Sequence, residues 1–261
     1  MTEPTIRLEL AAPFAEIILN KPERRNALSL DMWLAFPELI GRAEASADVK
    51  VVIIHGGKAG AFAAGADITE FERIYATEQS AAQSGQVIAD ALAAVERCKK
   101  PVIAAIEGAC VGGGLSLALA ADLRVVAKGA KFGVTPGKLG LVYSAADTRR
   151  LIAVIGPSRA KDILYTGRLF GAEEARDLGL VNRLVDDDAA VSQARILGGQ
   201  IAEISQWSAR ATKAMIAGLE DGWADGAPEA ASLFLAGFSN EDFEEGYRAF
   251  LEKRTAQFTY K

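Results

Sequence analysis

The sequence predicts an α/β fold that turns helical in its last third. Strand-like and helix-like apolar patterns alternate through the first two-thirds of the 261 residues, and beyond about residue 145 only helical spacing is left. Two glycine-bearing segments, Phe62-Ala63-Ala64-Gly65-Ala66-Asp67-Ile68 and Gly108-Ala109-Cys110-Val111-Gly112-Gly113-Gly114, each follow a short apolar run that reads as a strand.

In chain order, residues 6–10 and 15–19 read as a hairpin joined around Ala12-Pro13. Ser29 is placed to cap a helix reaching about residue 45, with Leu30, Trp33, Leu34, Leu39 and Ile40 near helical spacing. Residues 51–54 form a continuous apolar run, the mark of a strand buried on both faces. A long helix over 81–98 and a second buried strand over 102–106, after Pro101, come next. A helix starts at Gly113 and runs to 121, and 123–127 returns as a strand. Helical spacing then marks 146–155, 158–166, 172–178, 189–204, 209–219 and 242–254. No low-complexity linker interrupts the chain, so the change of pattern sets the boundary: a core over 1–200 and a helical region over 201–261.

Composition narrows the function. Half the residues are hydrophobic and 24% charged, as in an ordinary globular protein. The net charge of −5 and the lack of a basic block argue against nucleic acid as a partner. No apolar stretch reaches the length of a membrane span, and the N-terminus shows neither secretory nor transit pattern, so a cytoplasmic protein is expected. His55 is the single histidine and Cys98 and Cys110 the only cysteines, which supports no metal site. Cys110 reads as a small buried apolar residue and His55 as a strand-end residue; no Ser or Cys near His55 in sequence completes a triad.

The glycine segments carry the chemistry. Glycine at a strand-to-helix turn lets the backbone approach a ligand with its amides unblocked. Two such turns can aim one N–H each at a single developing oxyanion, and the second N–H is backed by a helix dipole. Either turn alone could equally be only a tight turn.

Taken with their flanks, these segments resemble the enoyl-CoA hydratase/isomerase (crotonase) superfamily. The resemblance continues in Asn20-Lys21-Pro22-Glu23-Arg24-Arg25-Asn26-Ala27-Leu28-Ser29, in Ala130-Lys131-Phe132-Gly133, in Leu139-Gly140-Leu141, in residues 172–182 and in Phe250-Leu251-Glu252-Lys253-Arg254. It implies a spiral of ββα repeats with a C-terminal helical trimerisation region, and hence a homotrimer or a dimer of trimers. It implies an acyl-CoA thioester as substrate, CoA being its carrier part, with no separate cofactor. By resemblance the oxyanion hole is the Ala66 and Gly113 amides, with Gly112 beside them. Arg25 and Ala27 lie in the early CoA-contacting turn, where one of Arg24 and Arg25 meets a phosphate and the other is a solvated charge. Ala64 faces the adenine, and Asp67 and Ile68 line the channel, although Asp67 equally suits capping the helix that follows. Phe250 and Lys253 match residues that reach the nucleotide from a neighbouring subunit; a lysine there also suits plain surface.

One departure decides the chemistry to look for. Hydratases of this superfamily activate water with two glutamates, and this chain places Ser116 and Pro136 at those positions. An unassisted serine hydroxyl is far too weak a base at neutral pH, and proline has no functional group. Thr135-Pro136-Gly137-Lys138-Leu139-Gly140-Leu141-Val142-Tyr143 is instead similar to a stretch of methylmalonyl-CoA decarboxylase-like members. Tyr143 there orients a departing carboxylate, or is simply a partly buried aromatic. Glu70 or Glu72 could stand in for a missing glutamate from another direction. The sequence thus points to an enzyme that stabilises a thioester enolate, with a decarboxylase-like lyase or a CoA-thioester-binding protein of little turnover as alternatives.

Overall fold

The computed structural model describes residues 3–260; Met1, Thr2 and Lys261 lie outside the described residues. The chain opens with β1 (Ile6–Ala11) and β2 (Phe14–Leu19), an antiparallel hairpin turned at Ala12-Pro13. Next come α1 (Leu30–Ala45), β3 (Val51–His55), the single turn α2 (Phe71–Ile74) and α3 (Glu78–Glu96). They are followed by β4 (Val102–Ile106), β5 (Ala109–Val111), α4 (Gly113–Ala120), β6 (Leu123–Ala127) and β7 (Lys131–Gly133). After α5 (Ala145–Ile155) and α6 (Pro157–Thr166) run β8 (Leu169–Gly171), α7 (Ala172–Leu178) and β9 (Arg183–Val185). The chain continues as α8 (Ala190–Glu203), α9 (Gln206–Glu220), α10 (Pro228–Ala236) and α11 (Glu241–Glu252).

Six strands form the main sheet in the order β1-β2-β3-β4-β6-β9, parallel from β2 onward. β5, β7 and β8 form a second, smaller sheet. The chain therefore alternates between sheets, β4 to β5 and then α4, β6 to β7 and later α5. This is the strand–strand–helix spiral. Continuous apolar strands follow from burial on both faces. On β3, Val52 and Ile54 enter the larger core with Trp33, Phe36, Leu92 and Leu115, whereas Val51 and Ile53 pack with Ala190 and Ala194 of α8.

A triad of Glu16, His55 and the half-exposed Arg195 ties α8 to the N-terminal hairpin. Glu16 accepts from Arg195 Nε and Nη2 at 2.7 and 2.8 Å and lies 3.1 Å from His55 Nε2. These partners, His55 first and then Arg195, outweigh the opposing effect of burial and hold the Glu16 carboxyl at about 2, well below its ordinary 4.5. A carboxyl depressed in the folded state stabilises the protein above its unfolded pKa, and that stability is lost as pH falls through the folded value. The melting temperature is therefore expected to fall between about pH 4.5 and pH 2 more steeply than in Glu16→Gln, which has no charge to lose. Parallel melting curves for the two proteins across that window check it.

The early turn is held by residues the motif reading did not single out. Arg25 and Asn26 both take positive φ, 49° and 55°, a conformation costly for residues with a Cβ. Asn26 offsets the cost through its buried side chain. Its Nδ2 donates to the carbonyls of Gly56, Ala61 and Phe62 at 2.9, 2.9 and 3.2 Å, and its Oδ1 accepts from the Lys21 N–H at 2.8 Å. An apolar residue there would leave buried carbonyls unpaired at about 1–3 kcal/mol each.

Candidate active site

The two glycine turns abut. The first turn, around Gly65 (φ 116°), is held on one side by the early turn: Ala64 N–H donates to Arg25 O, Leu28 N–H to Gly65 O and Asp67 N–H to Leu28 O, at 2.8–3.0 Å. On its other side Ala63 bridges Cys110 of β5. The second turn passes through Gly112 (φ 53°) into α4. A Cβ at Gly112 would stand in ordinary contact, 3.9 Å from the Gly65 Cα, whereas one at Gly114 would overlap the Ala63 carbonyl and push the turns apart. A Cβ at Gly113 would lie 4.0 Å from the Ala66 nitrogen and 3.2 Å from Trp33, which sets the two backbones side by side.

Both candidate amides are idle. The Leu28–Ala66 bridge uses the Gly65 carbonyl and the Asp67 N–H, so the Ala66 N–H takes no part. Gly113 is the first residue of α4, where an N–H has no intrahelical acceptor. Along residues 63–68 burial alternates: Ala63, Gly65 and Asp67 point inward, and Ala64, Ala66 and Ile68 are exposed. Donors at this open face, one of them at a helix N-terminus, suit an oxygen on which negative charge grows.

Ser116 lies one turn along α4 from Gly112, with its N–H donating to the Gly112 carbonyl at 3.0 Å. Its hydroxyl is 2.7 Å from the Tyr143 hydroxyl, a hydrogen bond in which either can donate. The structure thus joins two candidates that stand 27 residues apart in sequence. Burial first, and then the nearby Asp147 charge, push the Tyr143 phenol far above its ordinary range, so it stays a neutral donor. Tyr143 is fixed from behind. Ser144 caps α5, its hydroxyl donating to the Asp147 carboxylate at 2.7 Å and accepting the Asp147 N–H. Asp147 and Glu96 both receive Arg150, at 3.2 and 2.7 Å, which ties α5 to the end of α3.

The remaining candidates spread along one sequence of turns or lie elsewhere. Pro136 opens a short 3-10 turn, half-buried, and Leu141 N–H donates to its carbonyl. Arg25 is exposed and Ala27 half-buried on the early turn. Asp67 is committed: it caps the turn that begins at Ile68 by accepting from Thr69 N, and it receives Lys21 Nζ at 2.6 Å. Those bonds, Lys21's foremost, hold its carboxyl down to about 2. Glu70 is committed as well, accepting from the Leu30 N–H at 2.7 Å and pairing with Arg73. It thereby caps α1, where Ser29 occupies the cap position without a side-chain bond. Phe250 (82% exposed) and Lys253 sit exposed at the end of α11. Cys110 is fully buried, which pushes its thiol up and keeps it from acting as a nucleophile. Among the described residues, no group of three or more His, Cys, Asp or Glu side chains converges as a metal site, and no helix is long and apolar enough to cross a membrane.

Comparison with known proteins fits this geometry. Residues 9–261 match the family described as Enoyl-CoA hydratase/isomerase. The Crotonyl-CoA hydratase of Syntrophomonas wolfei is 34% identical over 262 residues, covering 100% of both chains. Among solved structures, an enoyl-CoA hydratase/isomerase family protein from Hyphomonas neptunium is 68% identical, with a TM-score of 0.98 over 99% of this chain and 98% of that one. The Enoyl-CoA Hydratase from Bacillus anthracis is 31% identical, with a TM-score of 0.92 over 99% of this chain and 100% of that one. With paired glycine turns, a ββα spiral and a match across nearly its whole length, this chain belongs to the enoyl-CoA hydratase/isomerase family and has the crotonase fold.

Proposed function

We propose that the protein is an enzyme of acyl-CoA thioesters in which the Ala66 and Gly113 amides stabilise a thioester enolate and no carboxylate activates water. The observation that carries this reading is the part-buried Ser116–Tyr143 hydroxyl pair beside the amide turns. A neutral phenol and a serine can donate hydrogen bonds to a substrate oxygen, but neither is a general base near neutral pH.

Decarboxylation of a malonyl-type thioester suits that set of groups. The Cα–carboxyl bond breaks, carbon dioxide leaves, and the electron pair stays as an enolate whose oxygen sits between the two amides. A proton then adds to Cα. Tyr143 holds the departing carboxylate and steers that proton. Methylmalonyl-CoA is the direct probe: loss of carbon dioxide is expected, and Tyr143→Phe should slow it by about 10²-fold, the low end for a positioned acid–base group. No carbon dioxide from the wild type, or equal rates in the two proteins, would remove the assignment. CoA binding without turnover of any thioester would favour a binding protein.

The assembly proposed for this enzyme is a homotrimer or a dimer of trimers in the cytoplasm. Phe243, Tyr247, Phe250 and Leu251 on α11 are 48–82% exposed. They continue into Phe234 and Phe238 and into a groove of about 550 Å³ between α9, α10 and α11. An apolar surface of this extent is what a second copy would cover. Phe250 and Lys253 would then reach the nucleotide end of a neighbour's CoA.

A further inference from the structure

We propose that a cleft of about 420 Å³, between the end of α3, the residues that follow it and α9, is a second binding site that takes a phosphate-bearing nucleotide. Its charged lining is Arg97, Lys99, Arg210 and Lys213 with the one acid Glu96, and the rings of Trp207 and Tyr260 complete it. Its volume falls in the range of small-molecule sites, about 300–1,000 Å³.

The local charge is unbalanced although the whole chain carries −5. Each acid nearby is already engaged: Glu96 by Arg149 and Arg150, Asp122 by Lys213, and Glu44 by the Lys99 N–H. Among the described residues Arg210 has no such partner. Its Nε and Nη2 are sealed from solvent without an acceptor, and its guanidinium lies 5.2 Å from the centre of the Tyr260 ring. Lys100, 2% exposed, donates to the carbonyls of Ala43 and Ser46 and to no carboxylate. Burial, and then the Arg210 charge, push its ammonium down. A buried cation without a paired carboxylate is costly, and an anion in the cleft would offset that cost at Arg210 directly and at Lys100 through its field.

The chemistry of the lining selects the anion. The unsealed Arg210 Nη1 and the exposed Arg97 and Lys99 offer donors to phosphate oxygens, and several cations in one cleft favour a multiply charged group over a single carboxylate. Trp207 and Tyr260 add flat apolar faces for a base.

ADP titrated calorimetrically into the full chain tests the proposal. Binding is expected with a Kd below about 1 mM, weakened at least tenfold in Arg210→Met and less in Arg210→Lys. Because Arg210 is partly buried, the Arg97→Met/Lys99→Met double variant, altered only at exposed positions, is expected to weaken ADP in the same direction. Inorganic phosphate should compete with ADP. No binding at about 1 mM, or ADP affinity unchanged in both variants, would overturn the proposal, since ADP would then be absent or lodged elsewhere. CoA stoichiometry identifies the source of the phosphate. Two equivalents in the wild type and one in Arg210→Met would make CoA itself the second ligand, whereas one in both would leave a separate nucleotide. None of these readouts involves turnover at the amide pair, so the result stands apart from the reaction proposed above.

Discussion

The Ala66→Pro variant is expected to turn over its thioester about 10²–10³-fold more slowly than Ala66→Ser, the range found when one oxyanion donor is removed. Proline deletes a single N–H, and the fold does not use that N–H: the bridge to Leu28 runs through the Gly65 carbonyl and the Asp67 amide. Ala66 is exposed, so the serine control keeps the donor and changes only an outward side chain. The loss should fall on kcat, because the donor is aimed at charge that develops during the reaction. A rise in KM with kcat unchanged would mean that the Ala66 amide only binds ground-state thioester.

The second large effect is a missing activity. Hydration of crotonyl-CoA is expected to be slower than in the Syntrophomonas wolfei relative by at least about 10⁴-fold, since two general acid–base groups contribute about 10²–10⁴-fold each. On the proposed reading Ser116 and Pro136 stand at the two positions, and two carboxylates nearby are engaged elsewhere. Glu70 is tied to the Leu30 amide and to Arg73, and Asp147 to Ser144 and Arg150. Absorbance assays of both enzymes on crotonyl-CoA settle the matter. Rapid hydration that survives Ser116→Ala would show that water is activated from a direction the hydroxyl pair does not account for.

Much of this was legible in the residues. Strand 102–106 was readable to the residue because a parallel strand buried on both faces is a bare apolar run, and 123–127 was too, despite Arg124 within it. The helix after Gly113 followed from its glycine turn, although it shows no amphipathic face, being buried all round. The strands β5, β7, β8 and β9 were missed for a plain reason: three residues hold too little alternation to register. α10 was missed beside Gly226-Ala227-Pro228, which reads as a break yet places Pro228 in the first turn of a helix. At the candidate site, the two turns were readable because glycine announces them. The supports were not. Lys21 on Asp67 and Glu70 on the Leu30 amide bridge 46 and 40 residues, and no local pattern reports a contact at that distance. Asn26 did leave a signal, since asparagine is among the few residues that tolerate positive φ.

The wedging of the two glycine turns bears on how such an enzyme can change its trade. Both presumed electrophilic contacts are main-chain groups, and a point mutation cannot delete a main-chain N–H unless it brings in proline. Their spacing rests on contacts without side chains, Gly112 on Gly65 and Gly114 on Ala63. Proton traffic, on the proposed reading, rests instead on side chains, Ser116 and Tyr143 here and none at Pro136, and each of these positions is one codon away from other chemistry. The scaffold thus separates a part that heredity can hardly touch from a part it can rewrite freely, and a new reaction needs only the second.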